Sequence, residues 1–238
     1  MTSTSNKPRP IRAQSLRTQV YDTLRERIQQ GGVNSSDRLV DLEIASELGV
    51  SRMPVREALL QLTHEGYLVG TTRGFMLPNL THDDMREIFE VRKLLEPRAA
   101  AMAARDIGQE QLLTLALARK QAEQAHQNAN PAEFILANSN FRQGWLDAVA
   151  NGRLADTINR FADHVQTVRF GTLQSAATQE IVLAGLDSLL SAFQRHDVLQ
   201  AQERMERFLI NAEDAFFRAW DARHATEKAA ADPEKSRP

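Results

Sequence analysis

The first regular pattern in the chain is Val20, Leu24 and Ile28, apolar positions one helical turn apart in a polar stretch that ends at Gly31-Gly32. That spacing predicts a helix over Leu16–Gln30, since residues four apart share a face and paired glycines stop the turn. A second helix is predicted over Leu42–Leu48, closed by Gly49. A third runs from Ser51 as N-cap to Glu65, closed by Gly66. Only the Gly-Val-Ser turn separates these two, the spacing of a helix-turn-helix. Beta signal is confined to Tyr67–Pro78, two short strands around a Thr-Arg-Gly turn. After Thr81 the pattern is helical throughout: Asp83–Arg105 (broken at Pro97), Gln109–Asn128, Pro131–Ala150, Arg153–Phe170, Thr178–Arg195 and Val198–Ala222. Thr81 with Asp84 resembles a capping box, and Asn130-Pro131 places an N-cap before a proline at the first helical position.

These elements predict a mainly α protein. A winged helix-turn-helix with a two-stranded β-wing occupies residues 15–78, and an all-helical bundle occupies 79–226. Residues 1–14 and 227–238 are polar and are expected to be a disordered arm and tail. The N-terminus lacks the apolar core of a secretory signal, and no apolar run approaches the roughly 18–20 residues that cross a bilayer, so no membrane partner is expected. The chain has no cysteine, which excludes disulfide scaffolds, thiolate metal sites and thiol nucleophiles and suits a reducing cytoplasm. The net charge of −2 argues against coating nucleic acid along the whole chain. Residues 1–78 hold ten Lys/Arg against eight Asp/Glu, so the positive end is the helix-turn-helix end, as a DNA reader joined to a non-DNA domain requires.

The segment VSRMPVREALLQLTHEGYLV carries the strongest chemistry. Val55, Ala58, Leu59 and Leu62 make an inward apolar stripe, which turns Met53 and Arg56 outward and leaves Ser51 and Arg52 in the first turn. The N-terminal turn of such a helix reaches base edges in the major groove, and an arginine fork matches guanine O6 and N7. The first-turn amides at Ser51–Met53 can hold a phosphate. Thr72, Arg73 and Gly74 at the hairpin turn would meet the neighbouring minor groove, and Arg38, just before the second helix, a phosphate. Taken singly, each arginine is an ordinary solvated side chain; the set, on a capped helix followed by a basic hairpin, points to double-stranded DNA.

At these residues the chain resembles the GntR family of regulators, in particular the FadR-like subfamily with an FCD-type C-terminal domain. The resemblance rests on DLEIASELGVSRMPVREALLQLTHEGYL, on the wing TTRGF and on EIFEVRKLLEPRAAAMAA, and spans residues 15–222. It implies a cytoplasmic, nucleoid-associated homodimer on a palindromic operator, acting as a repressor, with a small metabolite altering DNA affinity. Many FCD domains hold a divalent metal through one Asp and three His. Carried over position by position, with Phe141, Ala192 and Asp197 as the frame, those ligands fall on Asn138, Arg142, Leu186 and Phe208. Leu and Phe have no donor, and Arg has no lone pair to give, so no metal cofactor is expected. His164 and His196 fit neither spacing.

Periodicity in the third bundle helix supports that reading. Phe134, Phe141, Trp145 and Val149 border one edge of its apolar stripe and Ile135 and Leu146 the other, leaving Asn138 and Arg142 in the middle. An inward arginine needs an anion: an internal acid such as Glu96 or Asp187, or the acid group of a ligand. The expectation is a small organic acid effector gripped by Arg142 and oriented by Asn138. Leu186 and Phe208 would form the wall, Arg92 a second anchor or an ion-pair partner of Glu96, and His164 would be a structural or lining residue. Two other functions are open. A bundle that only dimerises would have a filled core around Arg142. An enzyme fused to a DNA reader would need a phosphate loop, a nucleophile with a paired base or a metal cluster, none of which the pattern supplies.

Overall fold

The computed structural model describes residues 15–29, 31–34, 36–161 and 173–231, with the side chains of 29 and 223–231 excepted. Its elements are α1 (Leu16–Gln29), α2 (Asp41–Leu48), α3 (Arg52–His64), β1 (Val69–Thr71), β2 (Gly74–Met76), α4 (His82–Asp106), α5 (Gln109–Gln127), α6 (Pro131–Leu146), α7 (helical over the described residues 152–161), α8 (Ala176–Gln194) and α9 (Val198–Ala231). Two compact units meet between Asn79 and Leu80.

In the first unit the α1 stripe Val20, Leu24 and Ile28 packs with Val55, Ala58, Leu59 and Leu62 of α3 in one core that also takes in Tyr67, Leu68 and Leu77. Burying each large aliphatic side chain there contributes about 1.5–3 kcal/mol. The αL conformation of Gly49, at φ 66°, ends α2 by sending its N–H back to the Ala45 carbonyl. The wing pairs β1 and β2 antiparallel, Val69 opposite Met76 and Thr71 opposite Gly74, around the two-residue turn Thr72-Arg73. Leu39 extends this sheet, exchanging backbone hydrogen bonds of 2.8 and 2.9 Å with Phe75.

In the second unit α4 lies along α9, α5 and α6 form a helical hairpin, and α8 packs on both α9 and α5. Thr81 and Asp84 make the full capping box at the head of α4, and the Asn130 side chain accepts from the Glu133 amide ahead of Pro131. The main core combines buried alanines of α4 and α5 with Phe134, Phe141 and Trp145 of α6 and Leu186, Leu189 and Phe193 of α8. A second cluster joins Met85, Ile88 and Phe89 to Phe216, bordered by Phe217 and Trp220.

Three expectations are corrected here. Pro97 does not break α4, which runs unbroken past it. An interior proline costs about 3 kcal/mol, and the buried flanks from Phe89 to Ala104 hold the helix together across it. α6 stops at Leu146 rather than Ala150, because the amides of Ala148 and Val149 turn back to the carbonyls of Trp145 and Leu146. Residues 227–231, expected to be disordered, belong to α9, where Glu227, Lys228 and the following alanines are strong helix formers. The rest of that tail, the arm 1–14 and His164 lie outside the described residues.

Candidate functional site

Ser51 stands at the N-cap of α3 with extended backbone, φ −70° and ψ 157°, yet among the described residues its side chain makes no capping hydrogen bond. No side-chain cap therefore competes for the first-turn amides. Arg52, Met53 and Arg56 project from the surface; Met53 is 65% exposed although it is apolar. The two arginines converge on one acid that sequence reasoning missed. Asp41, the first residue of α2 and itself buried, accepts from Arg52 Nε at 3.0 Å and lies 3.5 Å from Arg56 Nη1. The hydrogen bond from Arg52 holds the Asp41 carboxyl below its usual range. The charges of Arg52 and Arg56 and the Leu42 amide act in the same direction, and together they outweigh burial. The only signal in the sequence was an acid at the first position of a helix, ahead of two arginines on the next.

The exposed pair Thr72-Arg73 forms the tip of the wing, where the Thr71 hydroxyl donates to the Gly74 carbonyl at 2.9 Å and accepts from the Arg73 amide at 3.3 Å. Gly74 has φ +129°, and a Cβ there would stand 2.7 Å from the Leu39 carbonyl oxygen. Glycine is thus required twice at this position, for its dihedral and for the backbone crossing beneath it. Arg38 is exposed on the segment that this crossing ties to the wing.

In the bundle, Asn138 and Arg142 do point inward. Glu96, with its side chain 2% exposed, receives Arg92 Nε at 2.7 Å and Arg142 Nη1 at 3.3 Å, while Arg142 Nη2 donates to the Ile158 carbonyl at 3.2 Å. The internal acid is therefore Glu96; Asp187 instead makes a two-pronged pair with Arg119 on the surface. Arg119 is held above its ordinary pKa by that hydrogen bond, despite partial burial. Arg92 is 3% exposed, and its guanidinium sits 5.2 Å from the centre of the Phe89 ring. Two small cavities adjoin the triad. One of about 50 Å³ is lined by Phe89, Arg92, Asn138, Val182, Phe208 and neighbours. The other, of about 20 Å³, is lined by Glu96, Asn138, Arg142, Leu186 and Phe208 among others. Asn138 borders both and is 9% exposed. Gly185, missed in the sequence, makes room for Phe208 on the walls of the cavities that Asn138 also lines, since a Cβ there would collide with the Phe208 ring.

Residues 16–74 match the bacterial regulatory proteins of the gntR family, and residues 87–211, more than half of the chain, match the FCD domain. The chain belongs to the GntR family, with an FCD domain. It is a DNA-binding transcriptional regulator. It is 29% identical over 153 residues to YdhC of Bacillus subtilis, an uncharacterized HTH-type regulator, covering 63% of this chain and 68% of that one. It is 27% identical over 198 residues to the transcriptional repressor RspR of Escherichia coli, covering 82% and 86%. In fold it superposes on McbR/YncC of E. coli with a TM-score of 0.78 at 22% identity, covering 87% of this chain and all of the other.

The residues of this GntR-family regulator do not fit a divalent metal at the aligned FCD positions. Arg142 brings a cation, Leu186 and Phe208 bring carbon, and Asn138 is a neutral amide. Among the described residues no three His, Cys, Asp or Glu side chains gather closely enough to bind one. No described helix is long and apolar enough to cross a membrane.

Proposed function

We propose that this GntR-family regulator is a homodimeric repressor of the FadR-like type, reading a palindromic operator. A small organic acid, bound without metal beside Arg92 and Asn138, controls its hold on DNA. On the DNA side, Arg52, Met53 and Arg56 enter the major groove, the Ser51 end of α3 takes a phosphate, and Thr72-Arg73 reach the adjacent minor groove. Arg38 anchors to the backbone. The repressor reading draws support from RspR, whose name states that activity.

The observation that carries the effector reading is Asn138. Its side chain is nine-tenths buried and lines a cavity beside a buried arginine on the same wall, so a ligand seated there would meet two donor groups. A carboxylate can accept from both. This shifts the leading role from Arg142 to Arg92: both pair with Glu96, but Arg92 lines the larger of the two cavities beside it. Entry requires displacing Phe208, because a space of about 50 Å³ holds little more than one water's share of liquid, about 30 Å³. Bound and unbound bundles would therefore differ in packing, and differential affinity for two states is what a ligand switch needs. The same small volumes favour a second reading, a bundle that dimerises without an effector.

Thermal unfolding with a panel of small carboxylates and sugar acids, with and without chelator, tests the choice. Stabilisation by an organic acid that is lost in Arg92→Gln and Asn138→Leu and unchanged by chelator supports the acid effector. Stabilisation by a transition metal that chelator reverses overturns it, and no response to any acid selects the effector-free dimer.

A further inference from the structure

The outward face of the α5–α6 hairpin differs from the other bundle surfaces. Leu113 and Leu117 of α5 are 66% and 57% exposed, and Leu136 of α6 is 54% exposed. Exposed Gln121, Asn140 and Gln143 lie beside them, and exposed Glu110, Lys120 and Glu133 lie one turn away at the rim. Exposed large apolar groups gathered on one face with charges at the rim are the compositional pattern of an interface. Leu94 of α4 gives the contrast: it is 72% exposed, but exposed Glu87, Glu90 and Arg98 surround it on its helix face.

Along α5 the exposed seam reads Glu110, Leu113, Leu117, Lys120, with spacings of three, four and three. This order is its own complement when reversed. Two copies laid antiparallel about a two-fold axis over position 115 set each Leu113 against the partner's Leu117 and each Glu110 against the partner's Lys120. The three-four spacing keeps the seam on one side of a helix, as in coiled-coil pairing. A two-fold interface requires that residue i meet j while j meets i, and this seam does so in both apolar contact and charge.

We infer that a second copy of this chain docks on the α5–α6 face, with the two α5 helices antiparallel and Leu113–Leu117 and Glu110–Lys120 as its reciprocal contacts. This rests on the dimer proposed above and adds where it forms. The α5 seam combines exposed leucines with a charge order that is its own complement when reversed. The large outer groove lined by Gln124, Glu133 and Asn140 continues the same face and would be covered with it.

Sedimentation equilibrium on the full chain provides the test. Glu110→Lys and Lys120→Glu each set like charges across the axis and are expected to weaken dimerisation about tenfold. The double variant restores both pairs and is expected to return to within about threefold of wild type. Because the chain has no cysteine, Leu113→Cys and Leu117→Cys chains can be mixed and treated with a short bis-maleimide. A covalent dimer forming faster in the mixture than in either variant alone supports the register. This readout also stands if a charge variant folds poorly. A wild-type monomer overturns the dimer itself. A wild-type dimer that ignores all four substitutions but dissociates in Leu94→Lys overturns only this face.

Discussion

Asp41 at the head of α2 and Arg52 at the head of α3 are joined at 3.0 Å, the acid buried and the arginine more than half exposed. In the DNA complex proposed above, the acid would aim Arg52 toward the groove; with Arg56 on the same carboxylate, that turn carries one positive charge rather than two. Asp41→Asn is expected to keep the fold while removing that neutralisation. Affinity for random duplex should rise and its salt slope steepen by about one unit, while discrimination for the operator narrows because the forks lose their guide. Fluorescence anisotropy at several salt concentrations separates the two; equal gains on operator and random DNA with unchanged discrimination would remove the guiding role.

The same contact sets an acid limit on the first unit. The folded pKa of Asp41 lies below its unfolded value, so the carboxylate adds stability above the unfolded value. That stability is lost as pH falls through the folded one. Melting of an isolated 15–79 fragment should therefore drop below pH of about 4, and more shallowly in Asp41→Asn. Parallel acid profiles for the two would assign the drop to other carboxylates.

Gly74→Ala should be the most damaging small change in the wing, since it meets both the +129° dihedral and the Leu39 carbonyl. The cost is expected at about 1–3 kcal/mol, with loss of the Leu39–Phe75 bridge and weaker DNA binding. Gly70→Ala, four residues earlier on β1 with open space around it, is the control and should be near neutral. Chemical denaturation of the two variants side by side makes the comparison.

Gly185→Ala tests how Phe208 is seated beside Asn138. The added methyl collides with the ring and should cost about 1–3 kcal/mol by overpacking. The double variant with Phe208→Leu should recover most of it. Failure of that rescue would mean the collision is relieved by moving the α8 backbone instead.

What could be read from the sequence follows how local each determinant is. The α3 stripe, the Thr81–Asp84 box and the Asn130 cap lie within one or two turns of chain, so spacing alone locates them. The inward aim of Asn138 and Arg142 was legible for the same reason: both sit between flanking apolar edges of one helix. Pro97 misled because its effect depends on what packs beside α4, which no local signal reports. The Asp41 clamp, the Leu39–Phe75 bridge and the Phe208–Gly185 seat join distant stretches of chain. Their partners are set by how helices cross, and residue identity leaves that open. Whether Glu96 or Asp187 would meet Arg142 was open for the same reason, since both are acids on bundle helices.

Glu96 is the buried carboxylate between Arg92 and Arg142, and it offers a direct test of whether the bundle accepts an outside acid. Removing one partner from a buried charge group costs about 3–5 kcal/mol, because the charges left behind lose their compensation. Glu96→Ala should therefore melt far below wild type while leaving a carboxylate-sized gap facing two guanidinium groups. Acetate or propionate can refill that gap with its charge in nearly the same place. The expected result is a melting temperature that climbs with carboxylate concentration in Glu96→Ala much more steeply than in wild type, and that ignores chloride at equal ionic strength. Glu96→Gln keeps the volume but not the charge, so its gap is filled and it should respond weakly. A variant that responds to every salt alike would show general screening rather than a seat for a carboxylate, and would count against an acid effector in this bundle.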